Sequence, residues 1–139
     1  MRATFAAVVL MGCGLPDEAD TQTAVDDLHR ERAELRVATS ETPPMHWAKT
    51  AVISNTDELV FVADVTVPSG QHIATFEIDD ENGNLYQRDD VTFDRARVMD
   101  TMPVNGTWIS QYDMRGTWSC HLYIDGSSAE AAHALFTLR

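Results

Sequence analysis

What the chain is short of narrows its function before any motif is read. Cysteine occurs twice, as Cys13 and Cys120, and lysine once, as Lys49. Two cysteines leave no room for the disulfide framework that staples many small secreted domains. Basic charge is scarce as well: 10 Lys+Arg stand against 22 Asp+Glu, a formal net charge of −12. Phosphate backbones are bound through a basic footprint, so no nucleic-acid partner is expected. Electrostatic adhesion to anionic lipid headgroups is disfavoured for the same reason. Beyond the N-terminus no stretch approaches the roughly 18 consecutive apolar residues of a transmembrane helix. Motifs of nucleophilic and phosphate chemistry are also missing, with no Gly-x-Ser-x-Gly elbow, no zinc-protease helix and no phosphate-binding loop. The expectation is a non-enzyme with no cofactor, built as one modest domain and a tail.

What is present begins at the N-terminus. Arg2 supplies a positive charge, Ala3 to Met11 an apolar stretch, and Gly12 precedes Cys13, which together make a compact export signal. The run Leu10-Met11-Gly12-Cys13 resembles the lipobox of bacterial lipoproteins. That resemblance implies cleavage after Gly12, acylation of the Cys13 sulfur, and a mature protein held to a membrane through the lipid on Cys13. A cell-envelope location follows from it, and Gly14 in place of an acidic residue resembles outer-membrane sorting. A Cys13–Cys120 disulfide is the competing structure if acylation does not occur. The expected division is residues 1–12 as signal peptide, 13–44 as lipidated tether and charged stalk, and 45–139 as the folded domain.

Residues 14–23 are small, acidic and polar, as suits a stalk. Thr23 is placed to cap a marginal helix from about Ala24 to Val37, with Val25, Leu28 and Leu35 near one face. Its end overlaps an alternating stretch, Leu35, Val37, Thr39, that also reads as a strand, and Pro43-Pro44 closes whatever precedes.

From Met45 the apolar period becomes two. Leu59, Phe61, Ala63, Val65 and Val67 share one face, and Pro68-Ser69-Gly70 ends that run. Further strands are expected over 71–78, 85–88, 91–98, 104–112, 116–124 and 133–138, with a turn at Asp79 to Asn84. About seven short strands separated by turn signals predict an all-β antiparallel sandwich. The closing pattern from Gly116-Thr117-Trp118 to Phe136 resembles the final hairpin of immunoglobulin-like or fibronectin-III-like modules in bacterial surface lipoproteins. The repeat of Gly106-Thr107-Trp108 in Gly116-Thr117-Trp118 reads as two strands that each begin at a glycine turn.

Four constellations bear on chemistry. The acidic loop Asp79 to Asn84 offers oxygens of the type calcium prefers, but Asn82-Gly83 explains it as a hairpin turn. If Trp118, Cys120 and Leu122 pair with Phe136, Ala134 and Ala132, then His121 and His133 face each other on the outer surface, where copper, nickel or zinc would find two imidazoles, with Asp125 or Tyr123 to add an oxygen. Met45, His46, Met99 and Met102 read as packing rather than a copper site. Cys120 alternates with apolar neighbours and reads as a buried thiol. The leading functional expectation is a non-catalytic binding or structural module for an envelope protein or glycan, contacted through Trp47, Trp108 or Tyr112. The alternative is a weak transition-metal site at His121 and His133.

Overall fold

Alternation of apolar residues builds two sheets whose inner faces close on each other. The computed structural model describes residues 32–40 and 45–139. The leader, Cys13, the stalk and residues 24–31 of the expected helix lie outside the described residues. Eight strands run in order: β1 (Arg32–Ala38), β2 (Thr50–Ala51), β3 (Glu58–Thr66), β4 (His72–Asp79), β5 (Leu85–Phe93), β6 (Arg97–Pro103), β7 (Gly116–Ile124) and β8 (Ala132–Leu138). A 3-10 turn at Ile53–Asn55 follows β2, and one short helix, α1 (Trp108–Gln111), joins β6 to β7. One sheet has the order β1-β3-β6, the other β2-β8-β7-β4-β5. All pairings are antiparallel except β2 with β8. This is an all-β, immunoglobulin-like sandwich.

The core lies between the sheets. Leu59, Phe61, Ala63 and Val65 of β3 meet Phe76 and Ile78 of β4, Trp118, Cys120 and Leu122 of β7, and Phe136 of β8. Each large side chain fully withdrawn from water contributes about 1.5–3 kcal/mol. Trp118 is the largest, packed against Tyr86 at 5.1 Å and Phe136 at 6.1 Å between ring centroids. Its indole N–H donates to Met114 O at 3.1 Å, so burial leaves no unpaired donor there. The other face of β3 is also covered, with Val60 and Val62 beneath Ala38 and Met45.

Three expectations need correction. Arg32–Ala38 is a full strand paired with β3 from Arg32↔Thr66 to Ala38↔Val60, so the sandwich begins ahead of the Met45 boundary. The alternation of Leu35 and Val37 prevails over the helical spacing because burying both against the core outweighs a thin amphipathic face. Residues 91–98 do not form a separate strand: β5 runs unbroken to Phe93 and β6 starts at Arg97. Nor do residues 104–112 form a strand. Gly106 takes φ +82°, and the Thr107 hydroxyl oxygen accepts from Ile109 N at 3.2 Å, which starts a helical turn with Ile109 buried. The Gly-Thr-Trp echo therefore opens a helix once and a strand once.

Candidate functional site

The final hairpin sets the register on which the histidine pair depends. His121 lies opposite His133, as Cys120 lies opposite Ala134 and Trp118 opposite Phe136. Thr137 N donates to Lys49 O across to β2, so odd-numbered residues of β8 turn their backbone groups away from β7. His121 and His133 thus occupy a non-hydrogen-bonded pair, where side chains approach most closely. Their ring centroids are 6.2 Å apart.

A residue that sequence reasoning missed completes the arrangement. Glu130, in the loop before β8, places Oε1 on His121 Nδ1 and Oε2 2.8 Å from His133 Nδ1. His121 Nε2 lies 3.0 Å from Ser119 Oγ and 3.5 Å from Asp79 Oδ2. Burial opposes ionisation of Glu130, yet its contacts with His121 and His133 outweigh that and hold its carboxyl below the usual range. The position of Glu130 three residues before His133 was the available signal, but an irregular loop offers no period from which to place it.

The expected oxygen donor Asp125 is engaged with His72 instead. Asp125, at φ +51°, sets Oδ2 2.6 Å from His72 Nδ1 and accepts from Ile73 N at 2.9 Å. Its pKa is lowered by His72 first and by the Ile73 amide second. Among the described residues no group of three His, Cys, Asp or Glu side chains is arranged to hold a metal ion. The Nδ1 atoms of His121 and His133 both face one carboxylate, so the pair is a clasp across the hairpin.

The aromatic candidates separate into two places. Trp108 and Tyr112, at the two ends of α1, are 67% and 65% exposed, with rings edge to face at 6.3 Å. Helical spacing of four residues brings them together, and Thr107 fixes the turn that carries them. Trp47 lies elsewhere, beside β1, with the Arg36 guanidinium 3.8 Å from its ring centroid and Asp64 bonded to Arg36 at 3.1 Å.

The remaining candidates are structural. Asp80 Oδ1 accepts from Asn82 N and Asn84 N, each at 2.9 Å, and Gly83 takes φ +82°, which accounts for the acidic turn as a turn. Met102 is buried in the core, whereas Met99 is exposed and Met45 packs on Val60 and Val62 on the other face of β3. Cys120 is a free, buried thiol. Burial first, then Asp100 and Asp79, push its ionisation upward, away from thiolate chemistry. No helix among the described residues is long and apolar enough to cross a membrane.

No family model and no curated protein matches the chain. Solved structures similar to it include an alkylpurine DNA glycosylase of Pseudomonas fluorescens bound to DNA with an abasic site analog, at 14% identity and TM-score 0.48. The match covers 91% of this chain and 35% of that one, so the chain spans about a third of the glycosylase. The CARDB domain of a Pyrococcus furiosus protein in complex with di-metal ions is 12% identical, TM-score 0.45, covering 79% of this chain and 88% of that one. A beta-glucosidase of Kluyveromyces marxianus is 10% identical, TM-score 0.40, covering 77% and 14%. These likenesses do not carry function.

Proposed function

We propose that the chain is a lipid-tethered protein of the cell envelope whose sandwich is a non-catalytic binding module for a protein or glycan partner. The tether rests on Leu10-Met11-Gly12-Cys13 and the apolar stretch before it. The binding role rests on one observation: Trp108 and Tyr112 stand together in solvent while Trp118 is wholly buried. Aromatic side chains bury about 150–250 Å² each in a contact, and such anchors dominate interface energetics. A paired display on a capped turn brings that area with little further ordering. The charged and polar side chains of the hairpins are engaged in local ties, at Glu130 with His121 and His133, at Asp125 with His72, and at Asp80 with its own turn. The non-catalytic reading rests on those ties.

Three measurements test the proposal. Mass spectrometry of the protein from a bacterial host is expected to show a mature N-terminus at an acylated Cys13; an unmodified Met1 overturns the tether. A glycan array and crosslinking at the cell surface, run with the native chain and with Trp108→Ala/Tyr112→Ala, address the partner. The double variant is expected to keep its melting temperature and to lose affinity by at least about tenfold, the effect of removing one modest anchor. Undiminished binding by the variant overturns this contact.

A further inference from the structure

One side of the sandwich is only partly closed. β2 covers β8 at Thr137 and Leu138 alone. On the opposing sheet the Trp47 segment meets β1 at Ala38, through Ala48 N to Val37 O at 2.9 Å and Thr39 N to His46 O at 3.0 Å. Next to these contacts the two strand edges flank a groove of about 580 Å³, lined by residues that include Leu35, Arg36, Trp47, Lys49, His133 and Leu135. That volume lies within the range of sites that hold sizeable ligands, roughly 300–1,000 Å³.

The backbone of this groove is set for pairing. Val37 and Thr39 direct their backbone groups outward from β1, and Thr137 and Arg139 do so from β8. Alternation then turns the N–H and C=O of Leu35, His133 and Leu135 toward the groove. No strand among the described residues covers β8 from Ala132 to Phe136. Such an edge is a template for another strand.

We propose that this groove binds an extended, carboxylate-bearing peptide segment of a protein partner, added to β8 as a further strand. The uncovered stretch fits about five residues, or roughly 17 Å of strand. The backbone supplies the pairing, and alternate side chains meet the apolar walls at Leu35, Leu135 and Trp47. Charge selects the peptide. Carboxylates outnumber Lys and Arg by 22 to 10 in the chain, yet none lines the groove, whose cation left for a ligand is the chain's one lysine, since Arg36 beside it is already bonded to Asp64. Lys49 has no carboxylate partner among the described residues. At physiological salt, charges beyond about 8 Å are largely screened, so Lys49 governs docking more than the total of −12 does. A second copy is a poorer occupant, because it would press two strongly acidic chains together.

The test uses the full chain and three synthetic peptides, with NMR of the His133, Leu135 and Leu35 amides and of the Trp47 indole N–H as readouts. A Val-Glu-Val-Glu-Val peptide is expected to bind saturably and to slow exchange of the His133 and Leu135 amides. The Val-Lys-Val-Lys-Val peptide and an N-methylated acidic peptide are expected to bind at least tenfold more weakly. Lys49→Glu, at an exposed position, is expected to keep its melting temperature and bind the acidic peptide at least fivefold more weakly. Equal binding of the N-methylated peptide rules out strand addition, and equal binding of the lysine peptide rules out the charge selection. Self-association that protects the same amides without peptide assigns the groove to a second copy and overturns the proposal. This groove is distinct from the Trp108 and Tyr112 display, so either can fail alone.

Discussion

His121 and His133 face each other across the β7–β8 hairpin, and one carboxylate, Glu130, contacts the Nδ1 atom of both. The clasp fastens the loop before β8 to the strand pair, and with it the start of the edge that borders the groove. Glu130→Gln is expected to destabilise the fold by about 0.5–1 kcal/mol at pH 7, a charge-assisted contribution discounted for its partial exposure. The pKa of Glu130 is lowered in the folded state, so its contribution is fully present above the ordinary value of 4.5 and is lost as pH falls through the folded value. Urea unfolding at pH 7 and pH 3.5 checks this. The gap between native and variant protein should shrink on acidification, and a gap that stays constant rejects an ionised Glu130 as the cause.

The sandwich was legible wherever burial imposes a period of two. Leu59 to Val65 and Trp118 to Leu122 read directly as inward faces, and the pairing of Phe136 with Trp118 places His121 opposite His133. Period is no guide where local chemistry competes with it. Arg32–Ala38 carried both helical and strand spacing, and only the neighbouring β3 decides between them. Residues 104–112 held β-branched and aromatic side chains suited to a strand, yet a positive φ at Gly106 and the Thr107 cap produced a helical turn. Glu130 could not be assigned to the histidines because loops carry no repeating pattern, and the groove joins β1 to β8 from opposite ends of the described chain.

The two Gly-Thr-Trp repeats differ in what they tolerate. Gly106 and Gly116 both have positive φ, at +82° and +133°. A Cβ at Gly106 meets nothing within 4 Å, whereas one at Gly116 falls 2.8 Å from Glu81 Cβ. Gly106→Ala is expected to cost only the backbone term, about 1–2 kcal/mol, and Gly116→Ala about 2–4 kcal/mol because strain and overlap add. Thermal melts of both variants measure the difference. Equal losses would show that the Glu81 contact relaxes without cost.

Asp100 and Asp89 place two carboxyls at the opposite side of the sandwich, where β6 and β5 approach. Gln87 Nε2 donates to Asp89 Oδ2 at 2.7 Å and to Thr101 O at 2.8 Å, drawing the strands together. Burial first, and the neighbouring Asp89 second, push the Asp100 carboxyl up to about 6. The unfolded chain has the ordinary value of 3.8, so the folded state binds a proton more tightly between those values. The penalty of ionised Asp100 is therefore fully present above about pH 6 and absent below 3.8. Asp100→Asn is expected to stabilise the protein by roughly 1–3 kcal/mol at pH 7.5, with the gain fading from pH 6 downward and gone near pH 3.8. Because the Asp89 carboxylate is part of what opposes ionisation of Asp100, Asp89→Asn should relieve part of the same penalty, and the double variant should gain less than the sum of the two. Urea midpoints from pH 3.5 to 7.5 decide the matter. A gain at pH 7.5 that persists unchanged at pH 3.5 would assign the effect to packing, and strict additivity would show that the two carboxyls do not interact.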